Sequence, residues 1–215
     1  ARHIMVPARD LGHDLSAMLE AIAPDTRLVY IANPNNPTGT FLPGDAIEQF
    51  LAQIAKRHGG RVTVVLDEAY NEYLEPALRF DSVALVRKYP NLLVSRTFSK
   101  AYGLAGLRVG FAVAQPALTD LLNRVRQPFN VNTLAQVAAI AVLGDAEFLA
   151  RSFEVNQGGK RQLQAAFDQL GLTYVPSYAN FVLVKVGDAA RINLELLKRG
   201  VIVRPVAGDG LPEWL

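Results

Sequence analysis

Cysteine is absent from the chain, which excludes disulfides and thiolate-bound metals and leaves stability to packing and hydrogen bonding. Histidine is nearly absent: His3, His13 and His58 are scattered over 215 residues, so no histidine metal cluster can be read. No apolar run is long enough to span a bilayer. The amino terminus lacks the charged-then-apolar pattern of an export signal, and a cytoplasmic protein is expected. Charge of one sign is also scarce. A net charge of +2 is too small to point to nucleic acid or to an anionic membrane.

What is present is apolar. Half of the residues are hydrophobic, enough for one large domain, or one and a half ordinary ones, around a substantial core. The start, Ala1-Arg2-His3-Ile4-Met5-Val6-Pro7, looks like the inside of a strand, and the chain stops on Glu213-Trp214-Leu215. A piece of a longer protein is expected.

Apolar residues at helical spacing predict helices over 14–23, 43–58, 82–88, 116–126, 132–143, 145–170 and 189–199. The 145–170 helix is weakened at Gly158-Gly159 and ended by Gly171. Short β-rich runs at 28–32, 62–66, 92–95 and 109–114 predict strands. Through residue 114 the alternation implies a largely parallel sheet with helices on both faces, a three-layer α/β/α arrangement. Beyond Leu172 the pattern changes: 173–175, 180–186 and 201–203 read as strands around one helix. The expected division is a large domain over 1–150 and the start of a smaller α+β domain over 151–215.

The chemically notable residues follow strand ends. Asn36 lies in the turn-rich Asn33-Pro34-Asn35-Asn36-Pro37-Thr38-Gly39, Asp67 follows Leu66, and Lys100 follows the strand ending at Ser95. In open α/β sheets, ligands bind in the crevice outside the carboxyl ends of the strands. Asp67 ends an apolar run and is expected to be largely desolvated, which requires a cation or donors beside it. Tyr70 adds a phenol. Thr97, Ser99 and Arg108 form two hydroxyls and a charged fork suited to phosphate. Lys100 lies among them, placed as a Schiff-base nucleophile. A pyridinium, a ring hydroxyl, a phosphate and an aldehyde together describe pyridoxal 5′-phosphate. Each residue also has a plainer reading. Lys100 can be a solvated loop lysine, 33–39 a bare turn, Asp67-Glu68 a helix cap, and Arg108 or Arg204 a partner in a salt bridge. Phe129, Tyr178 and Phe181 read as packing residues.

The segments 33–39, Asp67-Glu68-Ala69-Tyr70 and Ser99-Lys100 with Arg108, in this order, resemble the fold-type I pyridoxal-phosphate-dependent aminotransferases. Within that group the chain is most similar to the histidinol-phosphate aminotransferase family. The likeness rests on Arg96 to Arg108, Tyr178-Ala179-Asn180-Phe181 and Leu197 to Arg204. The resemblance implies that Lys100 holds the cofactor as a Schiff base and shuttles the substrate proton. It implies that Asp67 keeps the pyridine nitrogen protonated, that Asn36 and Tyr70 bond the ring oxygen, and that Thr97, Ser99 and Arg108 hold the phosphate. Asn180 and Arg204 fall on the substrate side, and Gly103, Gly106 and Gly110 serve close approach or special dihedrals. It also implies transamination between L-histidinol phosphate and 2-oxoglutarate in histidine biosynthesis, by a homodimer. The family's N-terminal half is not matched here, so weak cofactor binding and no turnover are expected of these 215 residues alone. The alternatives are an aromatic or broad-range aminotransferase, a threonine-phosphate decarboxylase of the same fold, and the cofactor-binding part of a transcription regulator.

Overall fold

The structure is a computed structural model and describes residues 2–215. The chain opens with a short helix, α1 (Leu15–Glu20), whose first turn is capped by the Asp14 carboxylate accepting from the Ala17 N–H. Then β1 (Leu28–Ala32), α2 (Gly44–His58), β2 (Thr63–Asp67), α3 (Ser82–Lys88) and β3 (Leu92–Thr97) alternate. The sheet order is β1-β2-β3-β4, with β4 (Gly110–Ala114) last. The first three strands run parallel, because each pair is joined by a crossover helix. β4 pairs antiparallel with β3, Thr97 opposite Gly110.

Alternation along the strands decides which face is covered. Val29, Ile31, Val64, Leu66, Leu92 and Val94 point to one side and are buried. There they meet Ile47, Phe50, Leu51 and Ile54 from the apolar stripe of α2, together with Leu19 of α1 and Val86 of α3. The opposite side carries Leu28, Tyr30, Val65 and Asp67 and is the more exposed; Leu28 and Tyr30 are 56% and 51% accessible.

Past β4 come α4 (Pro116–Val125), α5 (Thr133–Leu143) and the 24-residue α6 (Ala146–Gln169). α6 passes through Gly158-Gly159 without a break, and Gly171 follows its end at a positive φ of 65°. α7 (Ala189–Lys198) is the last helix. A separate small core joins Val175, Leu183 and Val206 with Leu211 and Trp214. The strands expected in this part are reduced to isolated bridges, Tyr174 with Val184 and Lys185 with Trp214. Residues 201–203 form no strand, and Ile202 is 85% exposed. A β-rich run becomes a strand only when a neighbouring strand takes up its backbone donors and acceptors; here the Val201 N–H goes to the Leu196 carbonyl instead. Phe129 is 96% exposed rather than packed, in a turn where its φ is +55°.

Among the described residues no single helix is long and apolar enough to cross a membrane, and no group of three or more acidic or histidine side chains could hold a metal.

The core predicts its own test. Ile54→Ala, at a position with 0% exposure, should lower unfolding free energy by about 2–5 kcal/mol. Ile202→Ala should stay within about 0.5 kcal/mol of the parent. Denaturant unfolding of the two variants measures both.

Candidate active site

The register sets the site. Ala32, Asp67 and Ser95 stand side by side at the carboxyl ends of β1, β2 and β3, so the three following loops leave from one edge.

The first loop is held rigidly. The buried Asn33 side chain accepts from the Leu42 N–H at 2.7 Å and donates to the Leu42 carbonyl at 2.9 Å. Inside it, Asn35 donates to Thr38 Oγ1 at 2.8 Å, and the bonds from Asn33 and Asn36 to the following prolines are cis. This scaffold presents Asn36, whose amide donates to the Tyr70 hydroxyl at 2.8 Å. Gly39 has φ +74°, and a Cβ there would lie 2.4 Å from Ser177 Oγ. Only glycine lets the 177–178 segment dock, where the Tyr178 N–H donates to the Gly39 carbonyl at 2.8 Å.

The second loop delivers two groups. Asp67 is half-buried rather than desolvated. In a strand, adjacent residues face opposite ways, so Leu66 enters the core and Asp67 lies on the open face. Its Oδ1 accepts from the Ala69 N–H at 3.1 Å, a tight turn and not a helix cap, and its Oδ2 accepts from the Tyr30 phenol. Burial, then the bond to Asp67, raises the pKa of Tyr30. Tyr70 is buried, packed edge-to-face against Phe181 with ring centroids 5.3 Å apart.

The third loop is the segment 98–109 between the paired residues Thr97 and Gly110. The Phe98 N–H donates to the Val109 carbonyl, and the Gly103 N–H to that of Lys100. The chain thus folds back, bringing Arg108 to the same end as Ser99. Gly110 is required by contact, since a Cβ would lie 2.7 Å from the Arg96 carbonyl oxygen. Gly103 has a positive φ, whereas Gly106 has neither constraint. The Lys100 ammonium lies 5.6 Å from the Tyr70 ring centre and is exposed. Thr97 Oγ1 accepts from the Ser99 N–H at 3.0 Å. Arg108 takes a left-handed backbone, and its exposed guanidinium donates to the Ala105 carbonyl.

Direct contacts therefore join Asn36, Tyr70, Lys100 and Phe181. Asn180 lies near the Tyr73 phenol, and Ala179 shares a small core with Tyr70, Tyr73 and Ala101. Arg204 is exposed and enters none of the ion pairs among the described residues.

Two features escaped the sequence. Tyr30 falls in the 28–32 run that predicts a strand, and alternation puts it on the Asp67 face. Glu68, 1% exposed, pairs with Arg96 at 2.8 Å and accepts from Ser82 Oγ at 2.8 Å. Burial raises the pKa of Glu68, and Arg96 and Ser82 oppose that shift.

Fold and site define an α/β scaffold that gathers an amine, a carboxylate and a phenol–amide pair at one sheet edge. The chain belongs to the aminotransferase class I and II family, whose model matches residues 3–215. Over its whole length it is 67% identical to histidinol-phosphate aminotransferase 2 of Ralstonia nicotianae and covers 58% of that protein. It is 66% identical to histidinol-phosphate aminotransferase 1 of Cupriavidus pinatubonensis and covers 57% of it. The chain thus spans little more than half the length of these curated relatives. Among solved structures, it resembles histidinol-phosphate aminotransferase from Sinorhizobium meliloti in complex with pyridoxal-5′-phosphate. That match has a TM-score of 0.84 and 32% identity and covers 94% of this chain and 56% of the other.

Glu68→Ala would leave Arg96 without its partner. It should cost about 3–5 kcal/mol of stability, and Glu68→Gln, which can still bond Ser82, less; thermal and denaturant unfolding of the pair checks this order.

Proposed function

We propose that the chain is the cofactor-holding part of a pyridoxal-phosphate-dependent aminotransferase that acts between L-histidinol phosphate and 2-oxoglutarate in histidine biosynthesis. One observation carries the reading: the Lys100 amine lies 5.6 Å from the centre of the Tyr70 ring, whose hydroxyl accepts from Asn36, on the loop that follows Ser95, the strand neighbour of Asp67. The donor chemistry fits the cofactor group by group. Asp67 supplies negative charge and an acceptor for a ring N–H. The Asn36–Tyr70 bond uses one donor of the amide, so its second N–H and the phenol O–H are left for a ring oxygen. Thr97, Ser99 and Arg108 supply hydroxyls and a guanidinium for a phosphate.

When bound, that cofactor withdraws electrons from the substrate's α-carbon and makes its proton removable. The chain's residues do the rest. Among the described residues the Lys100 amine enters no ion pair and lies 5.6 Å from the Tyr70 ring centre, so it is available to take the proton from the α-carbon and return it to the product. Asp67 would hold a protonated ring nitrogen by its charge, and Asn36 with Tyr70 would hold a ring oxygen. Phe181 packs on Tyr70 and shields one side of the phenol from water. Asn180 and Arg204 are the proposed contacts to the substrate, with Arg204 meeting its acidic end.

The proposal extends to the whole protein. It works in the cytoplasm as a homodimer, with the division between cofactor domain and small domain near residue 150, inside α6. The high identity to relatives named histidinol-phosphate aminotransferase supports the substrate.

A substrate panel on the full-length protein tests this. L-Histidinol phosphate should give the highest kcat/KM with 2-oxoglutarate as acceptor; a higher value for phenylalanine or tyrosine would remove the substrate assignment. Lys100→Arg keeps the charge but not the proton-transfer group. It should lower kcat by about 10²–10⁴-fold in stopped assays.

A further inference from the structure

The phenol of Tyr30 has no place in the machinery assigned above. It lies on an exposed strand face where phenylalanine would pack as well, and its hydroxyl has one partner, the Asp67 carboxylate. The register explains how they meet. Ala32 is opposite Asp67 and Tyr30 is opposite Val65, so all four side chains share a face. Two residues of strand rise about 6–7 Å, a span that a tyrosine leaning along β1 bridges.

We propose that Tyr30 is a positioning residue for Asp67: its phenol holds Oδ2 while the Ala69 N–H holds Oδ1, setting the angle at which the carboxylate meets the cofactor's ring nitrogen. The inference rests on the proposed function for the identity of that cofactor. It leaves room for the ring. An ionised carboxylate offers about four acceptor positions, and Tyr30 and Ala69 occupy one each. Burial and the Asp67 charge raise the pKa of Tyr30, so the phenol keeps its proton and remains a donor. The carboxylate therefore enters the site already oriented, and the ordering cost of binding is reduced.

The test is a double-mutant cycle in the full-length protein with Tyr30→Phe, Asp67→Ala and both. Two quantities are read: the dissociation constant for pyridoxal 5′-phosphate by absorbance titration, and the denaturant midpoint of the cofactor-free protein. Tyr30→Phe should weaken cofactor binding about three- to tenfold, the range of one hydrogen bond, and should change nothing further in the Asp67→Ala background. Tighter binding in Tyr30→Phe, an unchanged constant, or an equal loss in both backgrounds would overturn the proposal. The midpoint should fall in Tyr30→Phe and not fall further when Asp67 is already alanine; equal falls would also overturn it. If the full-length protein binds no pyridoxal phosphate, the proposed function fails, and the midpoint cycle alone decides whether Tyr30 holds Asp67.

Discussion

Ala32, Asp67 and Ser95 occupy one row across three parallel strands, with about 4.8 Å between neighbouring strands. Asn36, Asp67, Tyr70, Lys100 and Arg108 depend on that row, because each belongs to it or arrives on a loop leaving one of its members. The crossover helices α2 and α3 enforce it, since their apolar stripes fit the sheet only when Ile31, Leu66 and Val94 face them. A slip of one residue in β2 would turn Asp67 into the contacts now made by Leu66 and expel Leu66 to the open face. An unpaired carboxylate at that depth is costly, so the packing of the core and the placement of the site carboxylate are a single constraint.

Asp67 and Glu68 are neighbours of like charge with opposite fates. Asp67 faces the site. Glu68 is buried, and it survives there because Arg96 from β3 and Ser82 from the start of α3 meet it. This group ties the end of β2 to the next strand and the next helix directly beneath the site. It also gives Glu68 a cation at 2.8 Å, which offsets the repulsion it feels from Asp67.

A second layer of restraint comes from far along the chain. Lys160, buried on α6, donates to the Ser177 carbonyl at 2.9 Å, and Ser177 in turn lies against Gly39. Tyr178 closes the contact through its N–H and by packing on Phe41 at 5.3 Å. With Ser177 and Tyr178 anchored, the next residues fall beside Tyr70 and Tyr73. That is how Asn180 and Phe181, more than 100 positions from Tyr70 in sequence, enter the same group as Asn36 and Lys100.

Much of this was legible beforehand. Helical spacing placed α2 through α7 within a few residues, and the order of the Asn36, Asp67 and Lys100 loops was enough to put them on one sheet edge. Periodicity and turn residues are local properties, and they survive reading one residue at a time. Partners are not local. The apolar run before Asp67 suggested desolvation, but strand parity turns the carboxylate to the open face. Tyr30 read as strand filler until the β1–β2 register set it beside Asp67. The β-rich run at 201–203 has strand composition and no neighbour to pair with, and Phe129 has core composition and an exposed turn. The sequence by itself determined the helices, the four sheet strands and which of their faces are apolar. Tertiary structure decided which side chains meet, because a hydrogen bond or a packing contact needs two segments in register and each segment encodes only its own half.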